Sequence, residues 1–171
     1  MKDEFLLVDG YNMVFAWDKL KDIAEENLED ARDELLEIMS NYQGYKNIEV
    51  IVVFDGHKVK GSVRKIHNYN NIEVVFTKEK ETADNYIEKV AHIIGKSYKV
   101  RVATSDALEQ TIIFSKGATR ISARELDLEV KMMKEEIQKD YIDNQVMTTN
   151  SLISNLDPAV ERLMQKLRRQ K

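Results

Sequence analysis

Runs of apolar, largely β-branched residues recur along the chain, and polar residues follow each of them. Continuous apolar runs of this length are typical of strands that are buried on both faces of a parallel sheet. We therefore expect strands at Phe5–Val8, Ile48–Phe54, Ile72–Phe76 and Tyr98–Ala103, with a short fifth strand at Thr119–Ile121.

Helical spacing of apolar residues fills the intervals between these strands. Residues 28–42 carry an apolar side chain every three or four positions, and Gly44 is placed to stop this helix. Thr82 is placed to begin another helix that ends at Gly95, and residues 122–125 have the form of a capping box that opens a long charged helix. The order of strands and helices predicts an α/β fold of three layers, with a mainly parallel central sheet flanked by helices.

Two polar segments show neither the apolar runs of the predicted strands nor the apolar spacing of the predicted helices. We interpret His57–Asn71 as a loop and Asp143–Asn155 as a linker. Asp157 and Pro158 then have the order expected at the start of a last helix, whose end is basic. The predicted organisation is one domain over residues 1–142, followed by a linker and C-terminal helix over residues 143–171.

Composition narrows the class of protein. The chain has 171 residues, of which 43% are hydrophobic, enough for one domain with a real core. It has no cysteine, no apolar stretch long enough to span a membrane and no pattern of a secretory signal at its start. We expect a cytoplasmic protein with no membrane partner, and we favour a monomer. The net charge of −4 argues against a generally polycationic nucleic-acid binder but leaves local basic patches open.

Aspartates stand where the predicted strands end. Asp9, Asp55 and Asp106 each follow an apolar run, and Asp84 lies in the first turn of the helix after the third strand. Because the carboxyl ends of parallel strands meet at one edge of a sheet, these carboxylates should converge. A divalent cation would relieve their mutual repulsion, and oxygen ligands without cysteine favour Mg²⁺ or Mn²⁺. The pattern indicates metal-assisted hydrolysis of a phosphodiester.

Other polar side chains are expected at the same edge. Asn12 would hold a carboxylate or a metal-bound water in place, and Thr104 would bond a ligand carboxylate or a phosphate. Ser105 adds a further polar group beside Thr104. Each residue taken alone also has a purely structural interpretation, as a helix cap, a partner of a helix dipole or a turn residue. The convergence of four aspartates favours the functional interpretation.

At this point the residues resemble a known family. The segment Val8–Asn12 (Val-Asp-Gly-Tyr-Asn) is similar to the signature of the NYN domain, a branch of the PIN-like nuclease superfamily. Across residues 4–135 the pattern resembles the YacP-like subfamily of bacterial NYN proteins. The further matching motifs, in order along the chain, are Val53–Gly56, Thr77–Asp84, Ala103–Asp106 and residues 117–126.

The resemblance implies a Mg²⁺-dependent endoribonuclease that cleaves single-stranded RNA. It places the catalytic and metal-binding acids at Asp9, Asp84 and Asp106, with Asn12 beside them. Asp55 and Glu81 match neighbouring acidic motifs and are implied to support the site. The resemblance also implies cleavage of messenger RNA on the translating ribosome, which makes the ribosome an expected partner.

Basic residues near the same edge are candidates for contacts with RNA phosphates, which would not read sequence. Tyr11 or Tyr69 is a candidate for stacking on an unpaired base. The basic candidates are Lys58, Lys60, Arg64, Lys65, Arg120 and Arg124.

Two other functions compete with the nuclease. The first is a non-catalytic RNA-binding or ribosome-binding module with a PIN-like fold, against which the intact set of three acids argues. The second is a phosphotransfer domain, which expects paired acids after the first strand. The sequence Asp9-Gly10-Tyr11 lacks that pairing.

Overall fold

A six-stranded sheet is the centre of the fold. The structure is a computed structural model that describes residues 2–56, 63–105 and 118–154, with side chains as far as residue 145. Within them the strand order is β3-β4-β2-β1-β5-β6. The strands are β1 (Glu4–Asp9), β2 (Glu49–Phe54), β3 (Lys65–Tyr69), β4 (Ile72–Phe76), β5 (Lys99–Thr104) and β6 (Ala118–Ser122), and the helices are α1 (Gly10–Ala16), α2 (Asp18–Glu26), α3 (Leu28–Lys46), α4 (Ala83–Ile94) and α5 (Ala123–Ser154).

The apolar runs form the buried strands that their composition predicts. β1 lies in the middle of the sheet and pairs in parallel with both β2 and β5. Leu6, Leu7 and Val8 have no exposed surface, because helices cover both faces of the sheet. The predicted α/β class with a mainly parallel sheet is confirmed.

The two faces of the sheet are covered by different helices. The apolar face of α4, formed by Ala83, Ile87 and Ala91, packs in one cluster with Leu7 and Val53 of the sheet. Gly10 of α1 meets Phe54, and Arg32 of α3 lies over the ring of Phe76. Each of these rings directly follows a strand residue that packs under α4, so α1 and α3 cover the other face. Trp17, between α1 and α2, is buried and donates a hydrogen bond of 2.8 Å to the carbonyl of Ala123.

One strand was not predicted. β3 pairs antiparallel with β4 through a tight turn in which Asn70 has a φ of 50°. Its residues are almost all exposed, because it is the edge strand of the sheet. An exposed edge strand needs no apolar pattern, so the segment that contains it looked like a loop.

Two helix ends also differ from the prediction. α3 continues through Gly44 to Lys46, and Asn47 in the left-handed conformation (φ 54°) provides the stop. α5 continues to Ser154, so residues 143–154 are helical rather than a linker. The polar composition of this segment does not prevent a helix, because no glycine or proline interrupts the sequence before Pro158. The division of the chain at residue 142 stays a prediction, as does the last helix, which lies outside the described residues.

The sheet and its covering helices belong to one compact unit, which ends at Lys131, and the remainder of α5 lies in a second unit. Among the helices of the described ranges, none has the length and apolar character that crossing a membrane requires.

Candidate active site

Strand alternation directs two polar side chains of the carboxyl edge to the same face of the sheet. Asp9 is the last residue of β1 and Thr104 the last of β5. Each lies two residues after a member of the cluster beneath α4, Leu7 and Val102 respectively. Because alternate residues of a strand share a face, the side chains of Asp9 and Thr104 both point to the α4 side of the sheet.

Asn12 joins these two side chains. Its backbone N–H donates to one carboxylate oxygen of Asp9 at 3.2 Å, and its side-chain amide donates to the other at 2.9 Å. The same amide lies 3.1 Å from the hydroxyl oxygen of Thr104. Asp9 is 7% exposed and Thr104 is 4% exposed. The carboxylate of Asp9 is therefore held through both of its oxygens, in an orientation that α1 fixes from its first turn.

Gly10 allows α1 to begin immediately after β1. A Cβ atom at this position would stand 2.3 Å from a ring carbon of Phe54, the last residue of β2. Only glycine permits this approach without displacement of a fully buried ring. The glycine in the motif thus brings Asp9 and Asn12 together, which the sequence had suggested by position alone.

The first turn of α4 brings Asp84 to the same side. Thr82 caps the helix, its hydroxyl accepting from the backbone N–H of Asn85 at 3.2 Å, so the predicted cap is confirmed. Ala83 packs in the cluster with Leu7 and Val53, directly below the carboxyl ends of their strands. Asp84 follows Ala83 and is half-buried. The helix therefore begins, with Asp84 in its first turn, near the carboxyl ends of β1 and β2.

Glu81 has a role that the sequence did not reveal. Its carboxylate is 3% exposed and is bound by the guanidinium of Arg64 through two bonds, of 2.5 and 3.2 Å. Lys89 lies 3.4 Å from the same carboxylate, and the Arg64 guanidinium holds the pKa of Glu81 below its usual value. Arg64 also stacks over the ring of Tyr86 at 4.9 Å. Arg64 is predicted from the sequence to contact RNA. In the structure its ion pair with Glu81 joins the segment before β3 to the segment that precedes α4.

Asp55 and Gly56 follow β2 and are fixed against Thr77. The backbone N–H of Gly56 donates to the hydroxyl of Thr77 at 2.9 Å, and Thr77 N–H donates to the carbonyl of Phe54 at 3.0 Å. A Cβ on Gly56 would stand 2.1 Å from the carbonyl oxygen of Thr77. This explains the glycine, and it leaves Asp55 half-buried at the edge of the sheet.

The remaining predicted residues divide into three groups. Ser105 and Arg124 line an open cleft of about 420 Å³ between the end of α1 and the start of α5, and Arg120 donates to the carbonyl of Thr104 at 3.5 Å. The side chain of Lys65 is exposed on β3. Asp106, Lys58 and Lys60 lie outside the described residues.

The predicted metal ligands are Asp9, Asp84 and Asp106. Within residues 2–56, 63–105 and 118–154, no group of three or more histidine, aspartate or glutamate side chains is arranged to hold a metal ion. Of the three predicted ligands, Asp9 and Asp84 are within these ranges. Their oxygens suit a hard cation such as Mg²⁺, and a third carboxylate would have to come from Asp106, two residues after Thr104.

Comparison with known proteins gives the family. A model of the YacP-like NYN domain matches residues 6–169. The YacP protein of Bacillus subtilis (strain 168) is 50% identical over 137 residues, which are 80% of each chain. A crystal structure of Rae1 (YacP) from Bacillus subtilis superposes with a TM-score of 0.71 at 44% identity, covering 96% of this chain and 94% of that one. A crystal structure of a mutant of the same Rae1 protein gives an equal TM-score at 42% identity, covering 90% of this chain and 85% of that one.

The NYN domain is part of the PIN-like nuclease superfamily, so this kinship supports a nuclease-like function on RNA. The family match, the identity to YacP and the superposition with Rae1 agree with each other. The chain belongs to the YacP-like NYN domain family.

Proposed function

We propose that the protein is a Mg²⁺-dependent endoribonuclease that cleaves single-stranded RNA. The observation that supports this most strongly is the arrangement around Asp9, in which Asn12 bonds both carboxylate oxygens and also reaches Thr104. A buried carboxylate that only capped α1 would need one such bond. The additional bonds fix its orientation, which is a requirement of a metal ligand rather than of a helix cap.

In this proposal Asp9, Asp84 and Asp106 hold the cation, either Mg²⁺ or Mn²⁺. The bound cation supplies charge stabilisation at the phosphate under attack and lowers the pKa of a water. Asn12 keeps Asp9 in one orientation, and Thr104 keeps the amide of Asn12 from rotating. Asp55 and Glu81 support the edge, Glu81 by anchoring the segment that leads into α4.

The substrate is proposed to be messenger RNA on the translating ribosome, in the cytoplasm. Support for this finer assignment comes from resemblance to YacP-like proteins, together with a net charge that weakens unassisted binding of RNA without preventing contacts at short range. The net charge is −4, so phosphates would be repelled at long range. A ribosome that presents the message in a fixed position would remove the need for a strongly basic surface.

Cleavage in a purified translation system, with a labelled message, tests the proposal. We expect the wild-type protein to cut in Mg²⁺ and to stop cutting when the cation is chelated. Asp9→Asn and Asp84→Asn should each lower the rate at least about 100-fold, since each removes a charged ligand. Asp22→Asn, at an exposed position of α2, is the matched control and should cut normally.

The outcomes separate the competing functions. Unchanged cleavage by both site variants would refute the assignment of the site. Binding of wild-type protein to ribosomes or RNA without any cleavage would identify a non-catalytic binding module instead. Cleavage that persists after chelation would refute the metal dependence while leaving a nuclease.

A further inference from the structure

Aromatic rings at the carboxyl ends of β2 and β4 form a line that continues into α1, the helix that begins directly after Asp9. Phe15 stacks on Tyr11 with ring centroids 6.2 Å apart and planes inclined by 25°. Tyr11 meets Phe54 edge-on at 5.1 Å, and Phe54 stacks on Phe76 at 5.3 Å. Phe54 is fully buried, whereas Phe15 is 57% exposed. The line is therefore anchored on the buried ring of Phe54 and reaches solvent at Phe15, while Phe76 at its other end is half-buried and stacks on the exposed His67 at 5.9 Å.

Tyr11 is the fixed support of the exposed ring. The guanidinium of Arg32, from α3, donates to the Tyr11 hydroxyl at 3.1 Å and lies 5.8 Å above the ring of Phe76. With Phe54 against its edge and Phe15 against its face, Tyr11 is engaged on two sides. Phe15 consequently presents its ring from a rigid base, and ordering it on binding costs little side-chain entropy.

Phe15 stands close to the candidate site. It lies three residues after Asn12 in α1, and residues at that spacing are neighbours on a helix surface, with about 5–6 Å between their Cβ atoms. Tyr69, the other aromatic residue considered for stacking, pairs with Ile72 at the start of β4 and so lies at the opposite edge of the sheet. Phe15 is thus the exposed ring nearest to Asn12 along α1, at the edge where Asp9 lies.

We propose that Phe15, supported by Tyr11, stacks on an unpaired nucleobase adjacent to the phosphate that is cleaved. This rests on the proposed nuclease function and adds a base-binding subsite to it. A flat ring with one face supported matches the π-face that every base offers, so the contact tolerates any sequence. It requires the base to be unpaired, and it therefore selects single-stranded over double-stranded RNA.

The test uses binding without cleavage. A short single-stranded oligoribonucleotide that contains the fluorescent base 2-aminopurine is titrated with the full-length protein in the presence of a chelator. Stacking on Phe15 should quench the fluorescence. Phe15→Ala should weaken binding about 5- to 150-fold, the range expected for loss of one base–aromatic stack, and should abolish quenching. Phe15→Trp should retain both.

Controls decide between stacking and a general apolar contact. Phe15→Leu keeps apolar surface without a π-face, so it should behave like Phe15→Ala. Tyr45→Ala removes an exposed aromatic ring from the far end of α3 and should bind like the wild type. Equal binding by Phe15→Ala and wild type, full binding by Phe15→Leu, or no quenching with wild type would each overturn the subsite. If cleavage of a translated message fails but this quenching is found, the nuclease is refuted and the base contact stands.

Discussion

Replacement of Arg64 by methionine is the most direct perturbation of the Arg64–Glu81 ion pair, which joins the segment before β3 to the segment that precedes α4. It removes both bonds to Glu81 while keeping an unbranched apolar stem in place of the arginine stem. The carboxylate of Glu81 is then left almost fully buried, with Lys89 at 3.4 Å as its remaining cationic partner. The side chain of Lys89 is 65% exposed, so solvent screens most of that attraction.

The burial of Glu81 and the exposure of Arg64 set the expected loss in the free energy of unfolding. Removing one partner of a fully buried ion pair costs about 3–5 kcal/mol, and removing a single hydrogen bond to a charged group costs about 1.5–3 kcal/mol. The side chain of Arg64 is 36% exposed, which reduces the first figure. We expect Arg64→Met to lower the free energy of unfolding by about 1–2 kcal/mol. Glu81→Gln combined with Arg64→Met should recover part of this loss, because no unpaired charge stays buried.

Urea denaturation measures the loss, and Lys65→Met is the matched control, since Lys65 is the exposed neighbour of Arg64. Arg64→Lys should lie between the wild type and Arg64→Met, because an ammonium cannot form the two-bonded contact. RNA binding distinguishes the alternative role: a phosphate contact at Arg64 would weaken RNA binding in Arg64→Met and leave the urea midpoint unchanged. Equal midpoints for Arg64→Met and Lys65→Met would refute the structural role.

Two further changes test other parts of the fold. Gly10→Ala should lower the free energy of unfolding by about 1–3 kcal/mol, measured in urea, because the added methyl overlaps Phe54; an unchanged midpoint would contradict the close approach. Burial raises the pKa of Tyr42 from 10.0 to about 12, and its bond to Glu129 adds to the rise. The neutral phenol is therefore favoured in the folded state, so stability should be intact below pH 10 and should fall between about pH 10 and 12. Thermal denaturation measured across this pH range should show the fall in the wild type and a weaker fall in Tyr42→Phe. Identical dependence of stability on pH in the two proteins would refute the role of Tyr42.

Short-range patterns predicted most of the fold. The buried strands are visible as apolar runs, and Thr82 and the capping box at residues 122–125 mark the starts of α4 and α5. These features depend on residues that are close together in the chain, so the sequence displays them directly. The edge strand β3 was missed because its burial is low, and the helical residues 143–154 were missed because polar residues form helices without an apolar stripe.

The roles of the site residues depend on partners that are far apart in sequence, and this is where prediction from sequence stopped. Asn12 meets Thr104 across 92 residues, and Arg64 meets Glu81 across 17. Parallel topology alone predicts that strand ends converge, and this predicts correctly that Asp9 and Thr104 lie at one edge of the sheet. Topology does not predict which side chains form hydrogen bonds with each other. Arg64 therefore looked like a cation available to RNA although it binds Glu81, and nothing in the local sequence marks Phe15 as a ring open to solvent.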